Sequence, residues 1–126
     1  MTLTYEKINE VLLEAFPEFK AKYDYEMNTY DCYKPGPHVL YGNVFNRTVS
    51  ELLEKDNDKA LIRRIFDFYE EMAQSQDIEI NNLLQVTLLE YLWDEKKIYE
   101  RACAYMLPAT KRINDCIKVY LDEPVE

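Results

Sequence analysis

The sequence predicts an all-α fold, a single domain over residues 1–126 built from antiparallel helical hairpins, HEAT-like or bundle-like, with at most a minor strand. Three observations predict it. Apolar residues recur at helical spacing along nearly the whole chain. There are only two glycines in 126 residues, fewer than the turns of a sheet ordinarily use. Prolines and capping residues fall where helices of ordinary length would start. Hydrophobic residues make up 48%, enough for one buried core and too many for a disordered chain.

The first helix is expected from about Thr4 to Phe16, with Tyr5, Ile8, Leu12, Ala15 and Phe16 on one face. Pro17 breaks it and suits the first turn of a second helix through Phe19, Tyr23 and Met27. From Asn28 to Pro37 the pattern fails and the strongest breakers gather, so a surface loop is expected there. Regular structure resumes at His38. Val39, Leu40, Val44, Phe45, Val49, Leu52 and Leu53 suit one helix interrupted near Gly42-Asn43, with a short strand at Val39–Tyr41 as the alternative.

Asp56-Asn-Asp-Lys then offers capping chemistry for a helix that buries Leu61, Ile65, Phe68, Tyr69 and Met72. Asp77 caps the next, with Ile80, Leu84, Leu88, Tyr91 and Leu92 inward. Asp94 caps another, with Ile98, Ala102, Tyr105 and Met106 inward. Pro108 starts the last, with Ile113, Cys116, Ile117, Tyr120 and Leu121 inward, and the tail 122–126 is expected to fray. Short turns make successive helices antiparallel.

The formal charge is −9, from 24 acids against 15 bases. A field of that sign repels nucleic acid and anionic membrane and attracts a basic protein. No segment approaches the ~18 consecutive apolar residues of a membrane span. The first residues do not pair a basic stretch with an apolar run, so no secretory leader is expected. Cys32, Cys103 and Cys116 are an odd count without CxxC spacing. They point to reduced thiols in the cytoplasm rather than to disulfides or zinc.

No catalytic constellation emerges. His38 is the only histidine, and Ser50 and Ser75 lack a glycine-flanked elbow. Cys32 with His38 is the single nucleophile–base pair the chain could offer, from one loop. There is no HExxH or ExxH, no EF-hand loop, and too few glycines for a phosphate-binding loop. No cofactor, no metal and no enzyme activity are expected.

Two features rise above background. Glu6, Glu10 and Glu14 stand at i, i+4 and i+8 of the first helix, and Asp67, Glu70 and Glu71 cluster on the polar side of a later one. Like charges at that spacing cost an isolated helix ~0.2–0.5 kcal/mol per pair. The plain alternative is a solvated face. The second feature is tyrosine, 11 in all. Tyr23, Tyr25, Tyr30, Tyr33 and Tyr41 surround the breaker-rich loop, interleaved with Asp24, Glu26 and Asp31. Tyrosines offer rigid area with a polar tip, which protein interfaces favour, or else pack the loop down. The candidate partner-binding residues are therefore Glu6, Glu10, Glu14, Asp24, Asp31, Tyr33, Asp67, Glu70 and Glu71.

Four stretches carry a resemblance: Phe16-Pro-Glu-Phe, Pro37-His-Val-Leu-Tyr-Gly-Asn-Val-Phe, Asn82-Leu-Leu-Gln-Val-Thr-Leu-Leu-Glu-Tyr-Leu and Tyr105-Met-Leu-Pro-Ala-Thr-Lys. Together they resemble a poorly characterised family of small acidic bacterial helical domains, similar to immunity proteins of contact-dependent or polymorphic toxin systems. Most of these positions are packing positions. The resemblance implies a protein that binds and blocks a cognate toxin domain, often a nuclease. It carries over no catalytic and no contact residues. A helical adaptor or regulatory domain is the alternative function.

Overall fold

The helical spacing becomes helix nearly everywhere, and no strand forms among the described residues. The computed structural model describes residues 3–29 and 35–122, with side chains through residue 117. The expected sites Asp31 and Tyr33, together with Tyr30, Cys32, Tyr120, Leu121 and the tail, lie outside the described residues or side chains.

A 3-10 turn at Tyr5–Lys7 leads into α1 (Ile8–Ala15). Phe16 leaves helical geometry, at φ −132° and ψ 72°, because a residue before proline is pushed out of the α region. Pro17 then opens a 3-10 turn, Pro17–Phe19, that runs into α2 (Lys20–Thr29), as a first-turn proline should. Helix persists through Asn28 and Thr29, later than the breaker pattern predicts. The Asn28 side-chain amide donates to the Asp24 carbonyl at 2.8 Å, and the Thr29 hydroxyl donates to the Tyr25 carbonyl. These polar residues occupy carbonyls in the last turn instead of ending it. Pro37 is likewise helical. It begins α3 (Pro37–Tyr41), which occupies the stretch offered as an alternative strand.

α3 continues through a π-helical segment, Gly42–Asn46, into α4 (Arg47–Lys55). α6 (Ile78–Asn82) continues in the same way through a π-helical segment, Leu83–Leu89, into α7 (Glu90–Leu92). The two wide segments pack on each other. Gly42 lies at their contact, where an added Cβ would stand 3.4 Å from Thr87 Cγ2. Wide turns lose the regular backbone pairing of an α-helix. Asn46 donates its side-chain amide to the Thr87 carbonyl at 3.0 Å, and His38 Nδ1 pairs with the Thr87 hydroxyl.

α5 (Lys59–Gln74) starts at Asp58, whose carboxylate accepts the Leu61 N–H at 3.2 Å. It ends at Gln74, and Asn81 of α6 donates to the Met72 and Ser75 carbonyls at 3.0 and 3.2 Å, meeting its C-terminal end. α8 (Lys96–Tyr105) starts one residue after the expected Asp94 cap, with Glu95 at the cap position and no capping side chain. α9 runs from Pro108 to Asp122 and packs on α5, while α4 packs on α8.

One continuous core results. Its centre is aromatic: Phe45 meets Phe16 edge-on at 5.4 Å and Phe19 at 5.9 Å, the geometry ring quadrupoles favour. Three expected inward positions are corrected. Val39 and Tyr91 are 45% and 38% exposed. α3 turns Leu40 and Tyr41 inward instead, and the π segment before Tyr91 shifts the phase of the helix beyond it. Cys116 is exposed, because α9 turns Asn114 and Ile117 inward. Asn114 accepts from Trp93 Nε1 at 3.0 Å and donates to the Tyr99 hydroxyl at 2.8 Å, which satisfies its buried amide.

Candidate functional site: an acidic face along α1 and α5

Glu10 and Glu14 are exposed on α1, one helical turn apart. Glu6 is exposed but sits in the tighter 3-10 turn before α1, so the 3.6-residue period that would align all three covers only Glu10 and Glu14. α2 adds Asp24, which pairs with Lys20. Glu10 and Asp24 come together electrostatically at Tyr23. Burial pushes the Tyr23 hydroxyl pKa up first, and the charges of Glu10 and Asp24 raise it further. Two sequence-predicted acids from different helices thus act on one half-buried hydroxyl.

The α5 cluster divides. Asp67 and Glu71 are exposed, whereas Glu70 is half-buried. Its carboxylate accepts from the Ala109 N–H at 3.0 Å, the Thr110 N–H at 2.8 Å and the Thr110 hydroxyl at 2.9 Å. Burial alone would raise its pKa. The three donors and the nearby Arg112 outweigh that and hold the carboxyl below its ordinary value. Glu70 is therefore the cap of α9, delivered from a neighbouring helix.

Asp67 and Glu71 border a cleft of about 190 Å³ lined also by Ala15, Phe16, Arg64 and Phe68. Glu71 also lines a second cleft of about 670 Å³, with Leu3, Thr4, Gln74, Ser75, Gln76 and Asp77. Glu71 thus stands between the two clefts at the edge of α5. The one cation in the cleft linings, Arg64, is already engaged. It forks onto both Glu18 carboxylate oxygens, donates to the Ala15 carbonyl at 3.1 Å, and lies 5.3 Å over the Phe16 ring. Hydrogen bonding to Arg64 is also what lowers the Glu18 pKa. Asp67, Glu71 and Asp77 against Arg64 leave the two cleft linings at a net charge of −2, and the charge of Arg64 is itself paired with Glu18.

The far end of the edge is fixed by Asp77. One of its oxygens accepts the Tyr5 N–H at 2.8 Å and the other the Glu79 N–H at 3.0 Å. Ser75 donates its hydroxyl to the Leu3 carbonyl at 3.3 Å. Sequence reasoning finds Asp77 as a cap but misses this second role, and it misses the Arg64–Glu18 strap, since partners 72 and 46 positions apart leave no local signal.

Of the other expected residues, Tyr41 is fully buried and donates its hydroxyl to the Ile8 carbonyl, so it is core. Tyr25 is 62% exposed. His38 is engaged with Thr87. Among the described residues no group of three or more His, Cys, Asp or Glu side chains converges to hold a metal, and no helix is long and apolar enough to cross a membrane.

Comparison with curated proteins finds no match, and comparison with solved structures finds none. A family model does match, over residues 9–120, which takes in α1 through nearly all of α9 and both arms of the acidic edge. The chain belongs to the family described as domain of unknown function DUF7674.

Proposed function

We propose that this chain is an immunity protein: it binds a cognate bacterial toxin domain, a nuclease, and neutralises it by laying its acidic edge into the toxin's basic cleft. The observation that carries the reading is the net-negative edge of α5, where Asp67 and Glu71 are exposed beside clefts whose one cation is tied to Glu18. A nuclease must hold a polyanion and so presents basic surface, and an acidic partner can occupy it in place of the phosphates. Glu10, Glu14 and Asp24 extend the same sign of charge along α1 and α2, and Glu6 extends it toward the start of the chain. The chain acts by occupancy, without catalysis, cofactor or metal.

The test first asks whether a toxin gene lies directly before this one, as it should for an immunity gene, and then pairs the chain with that toxin domain. The wild type should block the nuclease activity. Asp67→Lys with Glu71→Lys should slow association at least ~10-fold at low salt and leave the circular dichroism spectrum unchanged. Wild-type association should fall as salt shortens the Debye length to ~8 Å near physiological ionic strength. An association rate indifferent to salt and to these reversals would sink the electrostatic account. It would leave a helical adaptor that binds through apolar surface as the better reading.

A further inference from the structure

The acidic surface is interrupted where the α4–α5 junction meets α8. A cleft of about 330 Å³ there is lined by Asp56, Lys59, Arg63, Arg101, Ala104 and Tyr105. Three cations face one carboxylate, a net of +2 in a chain whose total is −9. Lys59 and Arg63 stand one turn apart at the start of α5, exposed, and neither forms an ion pair with a described residue. Like charges at that spacing work against the helix, so the helix has no use of its own for the arrangement.

The other side of the cleft is rigidly built. Arg101 donates through Nη1 to the Leu53 carbonyl at 2.7 Å and to the Glu54 carbonyl. Those bonds close the end of α4 and hold the guanidinium plane in place, while its remaining N–H groups are not spent on them. Asp56, in the left-handed region at φ 50°, accepts the Tyr105 hydroxyl at 2.9 Å, so the one carboxylate present is already engaged. Arg63 and Arg101 line the same cleft as that hydroxyl, from α5 and α8.

We infer that this cleft binds the phosphate group of a small molecule, held by Lys59, Arg63 and the fixed guanidinium of Arg101. A phosphate monoester carries about −1.5 to −2 at neutral pH, which matches the net charge of the lining, and a guanidinium fork fits its oxygens. The volume falls in the range of small-ligand sites. A nucleic acid would have to carry further phosphates across the surrounding acidic surface, which repels them.

The experiment is a titration of the full chain, isotopically labelled, with inorganic phosphate at constant ionic strength, followed by amide chemical shifts. Acetate forms a parallel arm. Phosphate should give saturable shifts centred on Arg101, Ala104 and Tyr105. Lys59→Ala with Arg63→Ala removes two exposed side chains, spares the α4 cap, and should weaken phosphate binding about tenfold or more. Equal shifts with acetate at the same concentration would show charge screening and overturn the proposal. So would a double variant that keeps its fold and binds phosphate like the wild type.

Discussion

The carboxylate of Glu70 receives hydrogens from two backbone amides and a hydroxyl at the start of α9, and its pKa is held down as a result. A group whose folded pKa lies below its unfolded value adds stability that is present above the unfolded value, near 4.3 for a free glutamate, and is lost as pH falls through the folded one. Glu70→Gln should therefore cost about 1–2 kcal/mol at neutral pH. Below that unfolded value the cost should shrink as pH falls, because the unfolded wild type then takes up a proton that the folded carboxylate resists. Urea unfolding at neutral and at acid pH checks this. Spacing along one helix cannot separate Glu70 from Asp67 and Glu71, since the groups that set it apart arrive from about 40 positions later. Burial tells them apart, and burial is set by packing between elements.

At the scale of the element, period and punctuation carry most of the fold. Pro17 and Pro108 start helices where expected, Asp58 and Asp77 supply caps, and Leu84, Leu88 and Leu92 turn inward. What the sequence conceals is the wide winding of Gly42–Asn46 and Leu83–Leu89, because a π turn changes the phase of a helix without changing its composition. Tyr91 is misjudged for that reason. The acidic edge is legible as charge on α1 and α5, and illegible as a cleft, since the Arg64 strap depends on tertiary contact. The winding also gives a test at Gly42. Its φ is −59°, and a methyl there meets Thr87 at ordinary contact distance. Gly42→Ala should raise stability by about 0.5–1 kcal/mol by restricting the unfolded chain. Gly42→Val adds branches against Thr87 and should lower it. Paired thermal melts distinguish a packing limit from a backbone requirement.

For the molecule as a whole, unbalanced charge works against compactness. Among the described residues the ion pairs are Lys20–Asp24, Arg47–Glu51 and Arg64–Glu18, all substantially exposed. Exposed pairs are worth ~0–1 kcal/mol each, and salt takes little from them. Repulsion within a chain of net charge −9 is the larger quantity that salt can relieve. Raising ionic strength from about 0.01 to 0.15 M shortens the Debye length from about 30 to 8 Å and should raise the unfolding midpoint. A midpoint that falls in scanning calorimetry would mean that the ion pairs outweigh the repulsion.

The bond from the Tyr5 N–H to Asp77 joins residues 72 positions apart, and it therefore belongs to the timing of folding as much as to the final shape. Closing a flexible loop of that length costs about 4 kcal/mol in the length-dependent part alone. One hydrogen bond cannot meet that cost in an open chain. It must wait until the intervening helices have brought its ends together, so this contact is expected to form late in folding and to be released early in unfolding. Asp77→Ser, whose single hydroxyl can still cap α6 at the Glu79 N–H while giving up the Tyr5 contact, should accordingly leave the folding rate nearly unchanged and act mainly by speeding unfolding. A comparable slowing of folding would place this contact in the nucleus instead.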